Sequence, residues 1–286
     1  TAVGAFALKL NTSGDANCAF GRSSLNNNTT GDNNCAFGKN SLAASTTANN
    51  CTAFGHYALA SNTTGSGNVA VGANALETKT TGGANTAVGT DALGVATTGS
   101  NNTAVGAQAG SVITSGTNNM CLGHDAGTSN SPTGLLTTHN HIICFGDNSI
   151  VEAHIKVALT VSSDERDKTD ITDFTKGLDI INSLRPVTYK WDMRSDYSDD
   201  LSVTPDGTKK KSRLNIGLIA QELETVEKAN GYGNSKDDRL FINKSDDGKN
   251  YGVAYEKLIP VLINGIKELS AKNTALETRV ATLEAA

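Results

Sequence analysis

Apolar and polar residues alternate regularly over residues 1–127, with a spacing of 17 residues. Each repeat has an apolar residue directly before a glycine, in most cases an alanine before that, and a small or apolar residue one place earlier still. Since side chains on a strand point alternately to its two faces, this triplet predicts one short β-strand per repeat. The glycines that mark the register are Gly4, Gly21, Gly38, Gly55, Gly72, Gly89, Gly106 and Gly123, with a ninth, Gly146, after a six-residue insertion.

A second apolar column follows each glycine by four places, at Leu8, Leu25, Leu42, Leu59, Leu76 and Leu93. Seventeen residues cannot bury both columns alone, but stacked repeats form a continuous core, so we predict a parallel β-solenoid over residues 1–150. Glycines between the repeats are followed three places later by asparagines that could form ladders, and we expect positive φ or side-chain caps there. Ala48 and Cys51 interrupt these two columns in one repeat.

The end of the chain carries a heptad pattern that predicts a coiled coil over about residues 256–284. An amphipathic helix lying on its own domain is the alternative, although its apolar stripe would be wider. Only 5% of the chain is aromatic, so a single solenoid has a thin core and three copies around one axis would bury more surface. We therefore expect a homotrimeric fibre. The two heptad series are Leu262, Leu269, Leu276 and Leu283, and Ile259, Ile266, Asn273 and Val280.

Composition and charge argue against nucleic acid and membranes as partners. The formal net charge is −5 without a long basic block, which argues against nucleic acid, and no apolar run is long enough to insert into a membrane. The first methionine is Met120 and the chain begins inside a repeat, so we expect a piece of a longer protein. Polar residues that vary after each glycine, such as His124 and Asp125, are candidates for display to a host receptor, but they predict no particular binding residues.

No disulfides are expected among the five cysteines; all but Cys51 fall in the alternating columns, which suits buried free thiols, and their spacing predicts no zinc site. Cofactor-binding residues and metal ligands are thus predicted to be absent. One alternative stays open for His139 and His141, which are two residues apart. Three chains around an axis could offer these six imidazoles to one metal ion, unless the pair lies in the insertion loop.

Residues 161–168, between the repeats and the charged C-terminal part, read Val-Ser-Ser-Asp-Glu-Arg-Asp-Lys. Ser163 and Lys168 supply a hydroxyl nucleophile and an amine that could serve as its base. Because a lysine amine normally has a pKa of about 10.4, it must be desolvated or placed near other cations to accept a proton at neutral pH. The same eight residues also fit a solvated linker without chemistry, so the pair alone decides nothing.

This segment is the first of four motifs that follow one another within about residues 160–284. They are Ser163-Asp164-Glu165-Arg166-Asp167-Lys168, Leu184-Arg185-Pro186-Val187 with Tyr189-Lys190-Trp191, Gly217-Leu218-Ile219-Ala220-Gln221-Glu222, and Tyr255-Glu256-Lys257-Leu258-Ile259-Pro260. This set resembles the C-terminal intramolecular chaperone of phage endosialidases and tail fibres. The N-terminal repeats resemble the heads of trimeric adhesins and the shafts of tail fibres, although their period is longer than is usual in adhesin heads.

The resemblance implies a chaperone that trimerises the chain, assists folding of the β-fibre and then releases itself. It places the cut between Ser162 and Ser163, with Ser163 as nucleophile and Lys168 as base, so the activity would be that of a single-turnover serine autoendopeptidase. Asp164 and Arg166 are expected to shape the segment. Gln221 and Glu222 are expected to lie on a helix, and Trp191 to lie in a core.

These expectations divide the chain into a solenoid over residues 1–150, a cleavage junction over 151–162 and an α+β chaperone domain over 163–286. The implied setting is the tail fibre of a virion, assembled in the cytoplasm of the bacterial host and directed at a cell-surface receptor, for which a glycan is one candidate. Two alternatives remain. One is a surface adhesin or structural fibre whose trimerisation module is not cut, and the other is a membrane-tethered regulator released by the same cleavage, against which the repeats argue.

Overall fold

The computed structural model of the protein describes residues 1–131, 133–150, 152–156, 161–198, 202–245 and 248–285. It divides into two compact units, one of residues 1–153 with 194–203 and the other of residues 154–193 with 204–286. Of the predicted junction over residues 151–162, positions 151 and 157–160 lie outside the described residues. The predicted fold class is confirmed for each unit: a parallel β-solenoid of 17-residue repeats, and a mixed domain that ends in a long helix.

One strand per repeat builds a nine-stranded parallel sheet whose strands follow one another in chain order. Equivalent residues pair across every step, as Ala36 does with Ala53, so the 17-residue spacing becomes an in-register stack. The six-residue insertion before the last strand leaves that register intact, since Cys121 pairs with Cys144. The strands are β1 Ala2–Val3, β2 Cys18–Phe20, β3 Cys35–Phe37, β4 Thr52–Phe54, β5 Val69–Val71, β6 Thr86–Val88, β7 Thr103–Val105, β8 Met120–Leu122 and β9 Ile143–Phe145.

The interior of the solenoid is lined by the middle residue of most strands and by the leucine column. The inward column contains Ala19, Ala36, Ala53, Ala70, Ala87 and Ala104, continued by Cys121 and Cys144, and the leucines from Leu25 to Leu93 are fully buried. The residue before each glycine points outward instead: Phe54 is 51% exposed and Val105 41%. A period-two pattern does not say which face is the inner one, and the narrow coil admits only small side chains at the middle position.

Two sets of glycines are required for different reasons. The glycine after each strand has a φ that an L-residue rarely adopts, 134° at Gly38. Positive φ or side-chain caps were expected at the inter-repeat glycines, and at Gly31 the cap is present: φ is not positive, and the carbonyl accepts from Asn28 at 2.9 Å and from Asn17 at 2.7 Å. A methyl group on Gly31 would overlap the carbonyl oxygen of Ala48 in the next repeat, so close approach of the stacked chains requires glycine there.

The predicted asparagine ladder runs through the buried interior at Asn17, Asn34, Asn68, Asn85, Asn102 and Asn119. Asn102 is typical of the set: its Nδ2 donates to the carbonyl of Gly116 at 2.8 Å, and its Oδ1 accepts the backbone N–H of Asn119 at 3.0 Å. Cys51 replaces asparagine in one repeat, and its thiol donates to the carbonyl of Gly65 at 3.2 Å. The ladder thus satisfies backbone groups that a buried corner would otherwise leave unpaired.

All five cysteines are free thiols. Cys51, Cys121 and Cys144 are buried, whereas Cys18 and Cys35 are half-buried on the outer side of their strands. Burial, with a smaller contribution from neighbouring Cys144, raises the pKa of the Cys121 thiol to about 12. A thiol with so high a pKa stays protonated at neutral pH and behaves as a small apolar side chain.

A lysine lies inside the solenoid. Lys79 is fully buried. It occupies the position held in the preceding repeat by Asn62, whose side chain donates to the carbonyl of Gly65, three residues further on, at 2.9 Å. In the repeat after Lys79 this position is occupied by the small, fully buried Ala96, which has no donor. The Lys79 ammonium reaches across the repeat and donates to the carbonyl of Gly99, three residues beyond Ala96. Burial lowers the pKa of Lys79 from 10.5 to about 8.

The second unit packs helices and two small antiparallel sheets around Ile180, Leu223, Phe241, Ile242 and Val261. Strand β10 pairs with β11, and β12 pairs with β13. The elements are α1 Leu178–Ser183, β10 Val187–Tyr189, β11 Asn215–Gly217, α2 Ala220–Ala229, β12 Ile242–Lys244, β13 Tyr251–Val253 and α3 Leu258–Glu284. Within the described residues, no helix is sufficiently long and apolar to cross a lipid bilayer.

Helix α3 uses different faces for its own domain and for the heptad pattern. Leu258, Val261 and Gly265 are buried in its first turns, where the backbone at Gly265 leaves room for Ile181 of α1. The heptad residues remain exposed, with Leu269 at 59%. The packing of α3 on its own domain therefore does not account for the heptad stripe, which stays open along the length of the helix.

Candidate functional site

Ser163 and Lys168 are brought together by a single 3₁₀ turn, Glu165–Asp167. The backbone N–H of Lys168 donates to the carbonyl of Glu165 at 3.1 Å, which closes the turn and directs the lysine side chain back toward Ser163. The Lys168 Nζ lies 2.6 Å from the Ser163 Oγ and 3.3 Å from the Ser163 carbonyl oxygen. A nucleophile and a base must be within about 2.6–3.2 Å of each other, so this spacing is suitable for proton transfer.

Asp164 holds the turn in shape. Its Oδ1 accepts the backbone N–H of Arg166 at 3.0 Å, as an N-terminal cap does, and its carboxylate receives both Nε and a terminal nitrogen of the Arg166 guanidinium. The hydrogen bonds from Arg166 hold the pKa of Asp164 below its usual value. Asp164 and Arg166 thus form a bidentate ion pair beside Ser163 and Lys168, in the shaping role that the sequence predicts for them.

The whole segment around the pair is open to solvent in the single chain. Ser162, Ser163 and Lys168 are all exposed, and so are the residues between them. The geometry needed for proton transfer is therefore present without the burial that would strip water from the ammonium group.

The other three motifs meet one another in the second unit. The Arg185 guanidinium makes a double hydrogen bond with Glu222, which holds the pKa of the Glu222 carboxyl below its usual value. The hydroxyl of Tyr255 accepts the backbone N–H of Leu218 at 2.9 Å. In contrast, the described hydrogen bonds of the Ser163–Lys168 segment run within the segment itself.

The positions expected for Glu222 and Trp191 can be compared with the structure. Glu222 lies on α2 and pairs with Arg185, in keeping with the helix position expected of it. The core position expected for Trp191 is wrong, since this residue is 50% exposed. The indole packs edge to face against Tyr189, with 5.1 Å between the ring centroids, and Trp191 lies two residues beyond Tyr189, the last residue of β10.

The two histidines considered for a shared metal ion lie in the corner before β9 and not on a strand. The backbone carbonyl of His139 accepts a hydrogen bond from Asn119 at 2.7 Å, and the Nδ1 of His141 lies 2.8 Å from the Nδ2 of Asn118. Both residues thus take part in the corner connections of the solenoid. A metal ion shared between three chains stays an open alternative for this pair.

Comparison with known protein families gives one match. Residues 163–232 match the family described as the chaperone of endosialidase, a peptidase family associated with self-cleaving chaperones. Comparisons with curated proteins and with solved structures give no match. The matched residues form about a quarter of the chain, begin at Ser163 and include α1 and α2. The chain therefore joins a β-solenoid to a segment similar to the endosialidase chaperone.

Proposed function

We propose that this chain belongs to a trimeric fibre of the phage tail-fibre type, whose C-terminal module assembles three copies, assists folding of the solenoid and then cuts itself off between Ser162 and Ser163. The observation that carries the proposal is the 2.6 Å contact between Lys168 Nζ and Ser163 Oγ at the first residues of the matched segment. A host-surface receptor for the fibre follows from the same resemblance.

The cut is an acyl shift followed by hydrolysis. Neutral Lys168 takes the proton of Ser163 Oγ, and the oxygen attacks the carbonyl carbon of Ser162. As the bond from that carbon to the Ser163 nitrogen breaks, Lys168 returns the proton to the nitrogen, which becomes a free amine. The resulting ester joins Ser162 to the oxygen of Ser163, and water then hydrolyses it to a Ser162 carboxylate and the original hydroxyl.

Assembly would supply the burial that the exposed segment lacks in one chain. The open heptad stripe on α3 includes Leu262, Leu269 and Leu276, which are 48–59% exposed, and contact with two further copies would cover it. The solenoid has its own open apolar column, at 51% for Phe54 and 39% for Val71. In this mechanism the cut waits until three chains have met, because only then is Lys168 desolvated.

The decisive experiment is mass spectrometry of freshly expressed protein under native and denaturing conditions. Wild-type chains should yield two fragments, one ending at Ser162 and one beginning at Ser163. Ser163→Ala and Lys168→Met should remain intact but trimeric, and Ser162→Ala is the matched control that should still be cut. If Ser163→Ala is cut at the same position, the catalytic assignment is wrong.

A second candidate is a fibre or adhesin whose trimerisation module stays attached. The exposure of Lys168 favours it, because the self-cleavage mechanism requires a desolvated amine. Intact wild-type chains that persist in a folded trimer would establish this candidate over the first. Single chains that cut themselves as fast as trimers would instead refute the link between assembly and chemistry.

A further inference from the structure

Three potential metal ligands converge at the last two repeats of the solenoid. His124 and Asp125 follow the glycine after β8, and Asp147 follows the glycine after β9. Because the two strands are in register, His124 is stacked directly above Asp147, although 23 residues separate them. We propose that His124, Asp125 and Asp147 bind one divalent transition-metal ion of the zinc type. This inference depends on the solenoid alone and not on the proposed self-cleavage.

The spacing of the ligand atoms fits one ion. The Nδ1 of His124 lies 3.4 Å from the Oδ2 of Asp147 and 3.5 Å from the Oδ2 of Asp125, and one ligand atom from each of the three residues lies within 4.8 Å of the others. Zinc is bound by nitrogen and oxygen ligands at about 2.0–2.2 Å, so two ligands at tetrahedral corners are about 3.3 Å apart. Two of the three ligand distances already approach this value.

The charges of the site also favour a cation. Two carboxylates face each other here, and the described ion-pair contact of each is the imidazole of His124. The side chain of Asp125 is only 12% exposed, and its Oδ1 is inaccessible to solvent and has no hydrogen-bond partner. A buried, unpartnered carboxylate oxygen is unfavourable, and a bound divalent ion would compensate for its lost hydration.

Local hydrogen bonds hold the carboxylates in place but leave ligand atoms available. The Oδ1 of Asp147 accepts the backbone N–H of Ser149 at 2.9 Å, which leaves its Oδ2 directed at His124. The side-chain nitrogen of Asn130 donates to the Oδ2 of Asp125 at 3.4 Å, so this oxygen would bind the ion through its second lone pair. Such neighbouring contacts orient metal ligands in known sites.

The donor set indicates the class of ion. One imidazole and two carboxylates suit zinc and manganese, whereas calcium takes six to eight oxygen ligands and is poorly matched by three side chains. Water would complete the coordination on the exposed side, where the side chain of His124 is 62% accessible. The equivalent histidine of an earlier repeat, His56, is stacked above Ala73 and has no carboxylate in that place, so it provides a matched control.

The test is a titration of the full, untagged chain with Zn²⁺, in which calorimetry measures the affinity and native mass spectrometry counts the bound ions. One ion per chain should bind to the wild type. His124→Ala and Asp147→Asn should each weaken binding at least tenfold, and His56→Ala should leave it unchanged. Because His124 is exposed, its loss should not prevent folding, which circular dichroism will verify.

Binding of Co²⁺ separates this site from the thiols and from the other histidines. The bound cobalt spectrum should lack thiolate charge-transfer absorption, and His141→Ala should bind as the wild type does. The proposal is overturned if no ion binds, if Asp147→Asn binds normally, if thiolate absorption appears, or if His141→Ala alone abolishes binding.

Discussion

Replacing the buried Lys79 with methionine should stabilise the solenoid at neutral pH. Methionine has an unbranched, flexible side chain like lysine, one heavy atom shorter, and it carries no charge. The pKa of Lys79 falls from 10.5 to about 8 on folding. At pH values below 8, this shift lowers the free energy of unfolding by about 3 kcal/mol. The carbonyl of Gly99, to which Lys79 donates, keeps a second donor in the side chain of Asn85 at 3.1 Å, so its hydrogen bonding survives the change. We expect Lys79→Met to be about 2–3 kcal/mol more stable than the wild type at pH 7.

The pH dependence identifies the cause. The unfolded chain holds the Lys79 proton more tightly than the folded chain, so the wild type should gain stability as the pH rises from about 8 to 10.5. The advantage of Lys79→Met should therefore be complete below pH 8 and nearly absent above pH 10.5. Urea denaturation between pH 7 and 10.5, with reductant present, measures the difference, and the exposed Lys39→Met is the control. A difference that does not change with pH would refute the reasoning.

Three further predictions concern other parts of the chain. Asn102→Ala removes a buried donor and acceptor from the ladder and should cost about 2–4 kcal/mol in urea denaturation, and a loss below 1 kcal/mol would show that water replaces them. Gly38→Ala introduces a side chain where φ is 134° and should cost at least about 2 kcal/mol by the same assay, and a smaller loss would contradict the need for glycine at this corner. The double variant Leu269→Asp, Leu276→Asp should shift the native mass from that of the proposed trimer to that of a monomer, while α1 stays packed on α3. An unchanged mass would exclude the heptad stripe as the contact between chains.

Much of the solenoid follows from the sequence because equal spacing and in-register stacking are the same property. A strand predicted at Cys35–Phe37 had to pair with the equivalent residues 17 places later, as it does. The inward face was harder to predict, since alternation is symmetric between the two faces of a strand. What decides it is the width of the coil, which accepts Ala36 inside and leaves Phe37 on the outside, stacked on Phe54 with 4.6 Å between ring centroids.

The candidate sites were less accessible to sequence reasoning. Ser163 and Lys168 are close in the chain, and the motif identifies them, but their contact depends on a turn that Asp164 caps. His124 and Asp147 become neighbours only when the six-residue insertion is removed from the register. Lys79 could have been noticed by aligning the repeats, because it occupies the same position as Asn62. Its reach to the next repeat depends on the small Ala96, which a comparison of single columns does not reveal.

The insertion before β9 shows where this architecture tolerates change in length. Extra residues between Leu122 and Ile143 are accommodated at the corners, while the strands on either side continue to pair as if nothing intervened. Whole 17-residue units could therefore be added or deleted, and each would change the height of the stack by about 4.8 Å, the distance between hydrogen-bonded strands. The length of the solenoid can therefore vary in fixed steps, while the corner of each repeat can carry different side chains.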